Sequence, residues 1–286
     1  MDRRQFVKQA SAVAGLMTLN PFGIKLQTTG SKKYITDRVM LGTSGLEVSR
    51  MAMGTGTSGY GGSSNQTRKL GIKGLSDLLR FGYDKGVFFW DSADQYGSHP
   101  HLKEALRHVP REKVVILTKT HASTEKEMLA DLDRFRSELG TDYIDIILLH
   151  CMMDKNWPVE KQGAMNILSR AREDKQIRLH GVSCHTLEAL KASAASPWVQ
   201  IDLARINPAG VEMDAEVSTV TGVLRQMKQS GKIIMGMKVF GVGRLINRKD
   251  ECLKFALAQD YVDCFTIGIE NADQLLDVEK RLPELS

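Results

Sequence analysis

Cysteine is scarce and scattered: Cys151, Cys184, Cys252 and Cys264 are the only four in the chain, and no two stand at Cys-x-x-Cys spacing. Zinc ribbons and iron–sulfur sites need thiolates at short fixed intervals, so no metal centre is expected. A block of basic residues is also missing. The formal charge of +5 falls to about +2 once residues 1–30 are set aside, where Arg3, Arg4, Lys8 and Lys25 stand against Asp2. Nothing here predicts a nucleic-acid partner. No repeat of 20–50 residues is visible, and no linker divides the chain. The weakly apolar stretch over residues 10–19 is too short to span a bilayer, which takes about 20 residues. What remains is 286 residues, 42% hydrophobic and 26% charged, an ordinary globular composition with one large core.

Strand-like and helix-like runs alternate through this core. Strands are predicted at residues 49–53, 87–91, 114–119, 144–150, 178–183, 201–206, 233–238 and 264–268. Helices are predicted at 70–85, 101–108, 125–139, 163–175, 187–195, 215–230, 249–258 and 272–281. Over 125–139 the apolar positions Met128, Leu129, Leu132, Phe135 and Leu139 recur at helical spacing. Eight such units in roughly 240 residues predict a single-domain α/β fold, a (β/α)8 TIM barrel over residues 31–286. Residues 38–49 read as a β-hairpin ahead of it, with Gly45 in the turn region.

Three of these strands end on chemistry. The first apolar run breaks into Asp91-Ser92-Ala93-Asp94-Gln95-Tyr96-Gly97, the second delivers Lys119 and the third His150. In a parallel barrel the carboxyl ends of the strands share one face, where active sites lie. Singly, each residue has an ordinary explanation as a turn, loop or core residue. Four in this order, each behind its own strand, resemble the aldo-keto reductases, and the resemblance runs from about Arg38 to the C-terminus.

That resemblance implies a nicotinamide-dependent oxidoreductase acting on a carbonyl or alcohol. Hydride transfer to a carbonyl creates an alkoxide that needs a proton as charge develops. Tyr96 would be the general acid in reduction and the general base in oxidation. Lys119 would lower the tyrosine pKa, Asp91 would hold Lys119 charged, and His150 would orient the substrate oxygen through a hydrogen bond.

The family's cofactor positions carry over in part. Ser183 and Cys184 align with a Ser-Asn pair that binds the nicotinamide carboxamide, and Arg205 stands where a Gln is usual, a departure associated with a divergent, largely bacterial branch. Lys238, Phe240, Gly241 and Gly243 match the loop along the pyrophosphate. Gly268, Glu270 and Gln274 fall around the adenosine ribose. NADP users typically place Lys or Ser and then Arg there, whereas this chain offers Glu270 and Leu276. A carboxylate repels a 2′-phosphate but accepts from a free 2′-hydroxyl, which favours NAD(H) over NADP(H). Tyr60 and Trp157 are the candidate walls for a small-molecule substrate, a polar or sugar-like one since the pocket-closing C-terminal extension of many relatives is absent.

The N-terminal Asp2-Arg3-Arg4-Gln5-Phe6-Val7-Lys8, followed by the stretch over residues 10–19, resembles a twin-arginine export signal. It implies an exported, periplasmic protein handled by the Tat machinery, membrane-tethered if residues 1–30 are not cleaved. Away from a nicotinamide pool, the dinucleotide would be held tightly and recycled. Two other readings stay open: a catalytically idle nucleotide-binding barrel serving as sensor or partner subunit, and a barrel hydrolase. The hydrolase needs two carboxylates about 5–10 Å apart, for which only Asp91 and Asp94 are in place.

Overall fold

The computed structural model describes residues 31–286. The expected export segment, with Arg3 and Arg4, lies outside the described residues. The described residues open with an antiparallel hairpin, β1 (Arg38–Met40) and β2 (Glu47–Ser49). There follow β3 (Met51–Gly54), α1 (Asn65–Asp84), β4 (Phe89–Asp91), α2 (His99–Leu106), β5 (Val115–Thr120) and α3 (Glu125–Leu139). Next come β6 (Ile144–Met152), the short α4 (Trp157–Glu160), α5 (Gln162–Glu173), β7 (Ile177–Cys184) and α6 (Leu187–Ala195). The chain ends with β8 (Ile201–Arg205), α7 (Val217–Gln229), β9 (Ile233–Met237), α8 (Lys249–Ala258), β10 (Cys264–Gly268) and α9 (Ala272–Leu285). Strands β3 to β10 pair in parallel, and β10 pairs with β3 to close the barrel. The predicted (β/α)8 barrel with its leading hairpin is the observed fold.

Two apolar layers explain why the strands read as near-continuous hydrophobic runs. Side chains alternate between faces, and in a covered parallel sheet both faces are buried. Phe89, Leu117, Ile146, Leu148, Leu203 and Met235 fill the barrel interior, while Trp90, Ile116, Ile147, Leu149 and Ile234 face the helices. Leu41, Leu46 and Val48 of the hairpin join the interior layer beside Phe89, Val115 and Ile233, which begin their strands. The hairpin therefore plugs the amino-terminal mouth and leaves the opposite mouth for chemistry.

Helix starts follow local capping. At α3, Thr124 and Glu127 form a capping box. At α1, Ser64 and Thr67 do the same and start the helix at Asn65, five residues ahead of the predicted start, before Gly71 (φ 61°) interrupts it. The first turn of α1 is too polar for its periodicity to announce it.

Among the described residues, Asp202 is a carboxyl of the outer layer that forms no ion pair. Asp202 of β8 is fully buried, its Oδ2 accepts the hydroxyl of Ser193 at 2.5 Å, and its Oδ1 has no partner. Burial pushes its pKa up to about 7. The folded state therefore binds this proton more tightly than the unfolded chain, and stability is lost as pH rises from about 4 to about 7. Asp202→Asn keeps the neutral shape, so it should stabilise the protein at pH 8.5 by roughly 2–4 kcal/mol and have little effect at pH 4.5. Urea unfolding at the two pH values checks this, and equal effects at both would refute it.

Candidate active site

The mouth opposite the hairpin collects the predicted catalytic residues. Asp91 ends β4, and the chain then turns through a single 3-10 turn, Asp94–Tyr96. Gly97 closes that turn at φ 62°, where a side chain would be strained and its Cβ would lie 2.0 Å from the Gly62 carbonyl oxygen. On β5, Val115 and Leu117 face the barrel interior, and the alternation carries Lys119 onto the same face. On β6, Ile146 and Leu148 set the same parity for His150.

These side chains meet. Lys119 Nζ donates to Asp91 Oδ1 at 2.5 Å and to the Ser92 carbonyl at 2.7 Å, and both charged groups are buried. The same Nζ lies 4.7 Å from the centre of the Tyr96 ring. The Tyr96 ring meets the His150 ring edge-on, with centroids 5.7 Å apart, and His121 stacks on His150 at 4.9 Å. Tyr96 itself is gripped by two glycines, since a Cβ on Gly56 or Gly59 would stand 2.3 or 2.4 Å from its ring carbons.

Burial sets the protonation states. Desolvation alone would push the Lys119 pKa down, but Asp91 and Tyr96 outweigh it and hold the ammonium charged. For Tyr96 the balance differs from the sequence expectation. Desolvation raises its pKa above the ordinary phenol value, and the opposing pull of Lys119 does not overcome it. The Asp91 carboxylate, beside the same phenol, adds to the effect of burial and further opposes ionisation. Burial, with Lys119, His121, His185 and Lys238 nearby, lowers the His150 pKa to about 2, so its imidazole is neutral, with Nδ1 buried and unpartnered.

The other predicted residues separate into two groups. A cleft beside Tyr96 and Asp91 is lined by Lys238, Phe240, Gly243, Gly268, Glu270 and Gln274. At Gly243 (φ 90°) no atom stands within 4 Å of where a Cβ would be. Gly241 is next to the lining but packs its backbone against Leu245 and Val211. Ser183 faces the barrel mouth, where its hydroxyl accepts the Cys151 N–H at 2.9 Å.

Cys184 does not belong to this face. As the strand neighbour of Ser183 it points the other way, fully buried in the outer layer, with Sγ 3.7 Å from Asp202. Arg205 is held by Asp214, through Nε at 2.8 Å and also through Nη2, and does not line the cleft. Trp157 is core rather than pocket wall: it is 1% exposed, donates to the Ala189 carbonyl at 3.2 Å and packs edge-on against Trp198. The short helix α4, absent from the predicted elements, turns it inward. Tyr60 is 80% exposed on a turn bridged to Ser63 and lies outside the cleft lining.

Asp94 is ion-paired with Arg134, which donates to its two carboxylate oxygens at 2.6 and 3.0 Å. With Asp91 paired to Lys119 as well, both carboxylates of that candidate hydrolase pair are held by cations.

Sequence reasoning missed several residues. Gly56 and Gly59 had a visible signal, five glycines among residues 54–62 directly behind a barrel strand. Thr266, whose hydroxyl donates to Asp91 Oδ2 at 2.9 Å, had none beyond the strand parity of β10. His185 sits 3.0 Å from the Cys151 sulfur, and Cys151 itself adopts φ 62° where the β6–β7 register shifts.

Known proteins share this arrangement of strands. An aldo-keto reductase structure from Pseudomonas aeruginosa superposes with a TM-score of 0.74 at 20% identity, covering 88% of this chain and 97% of that one. One from Klebsiella pneumoniae, solved with NADP and acetate, gives 0.66 at 19% identity over 85% and 89%. These likenesses carry the fold. In sequence, a soybean (Glycine max) protein named aldo-keto reductase 1 is 30% identical over 179 residues, 57% of this chain and 50% of that protein. The 9,11-endoperoxide prostaglandin H2 reductase of Trypanosoma cruzi is 30% identical over 139 residues, 45% and 47% of the two chains. The chain thus spans about half the length of the curated relatives it matches. The Aldo/keto reductase family profile matches residues 50–255, from β3 into α8 and across all four residues gathered at the barrel mouth. By that match the chain belongs to the aldo/keto reductase family.

Proposed function

We propose that this protein reduces a carbonyl, or oxidises the corresponding alcohol, with NAD(H), using Tyr96 as the proton donor or acceptor. The buried Asp91–Lys119 pair directly beneath Tyr96 carries this reading. Family membership supports the nicotinamide-dependent oxidoreductase frame. A buried ammonium with one carboxylate partner and one carbonyl partner keeps a third N–H for the phenol oxygen. Tyr96, protonated at neutral pH, is then ready to donate to an alkoxide, and Lys119 stabilises the phenolate left behind. Neutral His150 serves as a hydrogen-bond donor to the substrate oxygen without adding a positive charge.

The residues along the cleft fit a dinucleotide. Gly243 offers backbone approach, Phe240 an apolar face, and Lys238 a cation that forms no ion pair among the described residues. When bound, the nicotinamide supplies or accepts the hydride. Ser183 is the candidate contact for its carboxamide, with Cys184 excluded by its orientation. At the other end Glu270 favours NAD(H), because its carboxylate already holds Lys69 at 2.6 Å and Asn65 at 3.0 Å. A 2′-phosphate would compete for Lys69 while facing Glu270.

We further propose that the Arg3-Arg4 segment exports the folded protein with its cofactor bound, so the dinucleotide is retained and recycled. The substrate class proposed is polar and sugar-like, bound beside Tyr96 and His150, where His121 stacks on His150 and meets Gln95 at 3.0 Å. Denaturing protein exported through its own first 30 residues and identifying released nucleotide by mass spectrometry tests the whole reading. Near-stoichiometric NAD is the expected result. A chain that releases nothing and binds neither NAD(H) nor NADP(H) on titration overturns it.

A further inference from the structure

Asp91 is held from two sides. One carboxylate oxygen takes Lys119 Nζ at 2.5 Å, and the other accepts the Thr266 hydroxyl at 2.9 Å. Thr266 lies on β10 opposite Ala52 of β3, buried on the interior face two residues beyond Cys264. Its hydroxyl can come this close because Gly54 has no side chain: a Cβ there would stand 2.9 Å from Thr266 Oγ1. Its outward neighbours Phe265 and Ile267 are apolar, as the shell requires. The interior position would accept valine, which has the same shape, so packing alone does not call for a hydroxyl there. What the hydroxyl adds is one bond to one carboxylate oxygen.

We infer that Thr266 is a positioning residue, which locks the Asp91 carboxylate in the orientation that aims Lys119 at Tyr96. The terminal torsion of an aspartate is broad and roughly two-fold, so a carboxylate bonded on one oxygen alone rotates easily. A second bond from a different strand removes that freedom and fixes the carboxylate that pairs with the Lys119 ammonium. The lysine then keeps its third N–H on the phenol rather than following a swinging carboxylate. Thr266 touches neither Lys119 nor Tyr96 in this scheme, and its effect on them passes through Asp91. The catalytic consequence rests on the reductase reading; the effect on Lys119 does not.

Thr266→Val removes the hydroxyl at constant shape, and Thr266→Ser restores it with less bulk. The first readout is NMR titration of protein carrying 13Cε-lysine, with Lys119→Met to assign the resonance. Lys119 should titrate above the ordinary lysine range in the parent, at a lower midpoint in the valine variant, and near the parent midpoint in the serine variant. The second readout is NADH-dependent reduction of 4-nitrobenzaldehyde. There kcat should fall about tenfold or more in the valine variant with KM little changed, and recover to within about threefold in the serine variant. An unmoved Lys119 midpoint in Thr266→Val overturns the inference, as does a serine variant no better than valine. If no protein reduces the aldehyde while the lysine midpoints follow the expected pattern, the positioning role stands and the reductase reading falls.

Discussion

Tyr96→Phe is expected to lower kcat/KM for NADH-dependent carbonyl reduction by about 10³-fold, with nucleotide affinity unchanged within about twofold. The substitution removes one oxygen and leaves the ring. That ring is held between Gly56 and Gly59, so the loop after β4 keeps its path. Lys119 also keeps Asp91 and the Ser92 carbonyl, so no buried charge is stranded. Only the proton transfer is lost, which is why turnover and binding should separate. Lys119→Met is the instructive contrast. It leaves Asp91 buried with the Thr266 hydroxyl but no cation among the described residues, and removing half of a buried pair typically costs about 3–5 kcal/mol of stability. Activity loss in that variant therefore mixes catalysis with unfolding, whereas the loss in Tyr96→Phe does not. Steady-state kinetics with fluorescence titration of NADH check the first, and urea unfolding checks the second. A Tyr96→Phe protein that keeps a tenth or more of the parent rate would remove Tyr96 from the mechanism. In the active parent, His150 is neutral from well below pH 5, so its protonation should impose no acidic limb on the rate between pH 5 and 8.

Much of this site was legible because a parallel barrel converts sequence order into spatial order. Asp91, Lys119 and His150 each follow an apolar run, and strands β4, β5 and β6 are neighbours in both sequence and sheet. Parity along each strand then decides which side chains share the interior. Parity along β7 likewise separates Ser183, at the mouth, from Cys184, which packs beside Asp202 under the helices. Trp157 was misplaced for a different reason. An aromatic behind a strand end reads as pocket lining unless a local helix turns it inward, and the four-residue α4 has too little periodicity to be seen. Tyr96's raised pKa was not legible at all, because the sign depends on a contest in which burial and the Asp91 charge oppose Lys119. Thr266 escaped notice because its partner is 175 residues away in the chain and reaches it only by barrel closure.

Glu270→Gln should move the ratio of NADP(H) to NAD(H) affinity toward NADP(H) by about tenfold to a hundredfold. In the parent, burial alone would raise the Glu270 pKa, but Lys69 and Asn65 outweigh it and keep the carboxylate ionised. One charge removed within about 6 Å of a bound phosphate, at an effective dielectric near 20 to 40, changes the interaction by about 1.4–2.8 kcal/mol. Lys69, 2.6 Å from Glu270 in the parent, is freed at the same time and adds to the effect. Lys69→Met supplies the opposing test: it leaves Glu270 without its ion-pair partner at the rim of the cleft and should widen the preference for NAD(H). Parallel titrations of both nucleotides against the parent and the two variants decide the matter. Opposite displacements of the ratio assign 2′ discrimination to the Lys69–Glu270 pair. Displacements of the same sign, or none, would mean that the adenosine ribose lies elsewhere along the cleft and that Glu270 only ties the β10–α9 loop to α1. The two variants together are needed because a loss of that structural tie would weaken both nucleotides alike, and only a change in their ratio reports on charge.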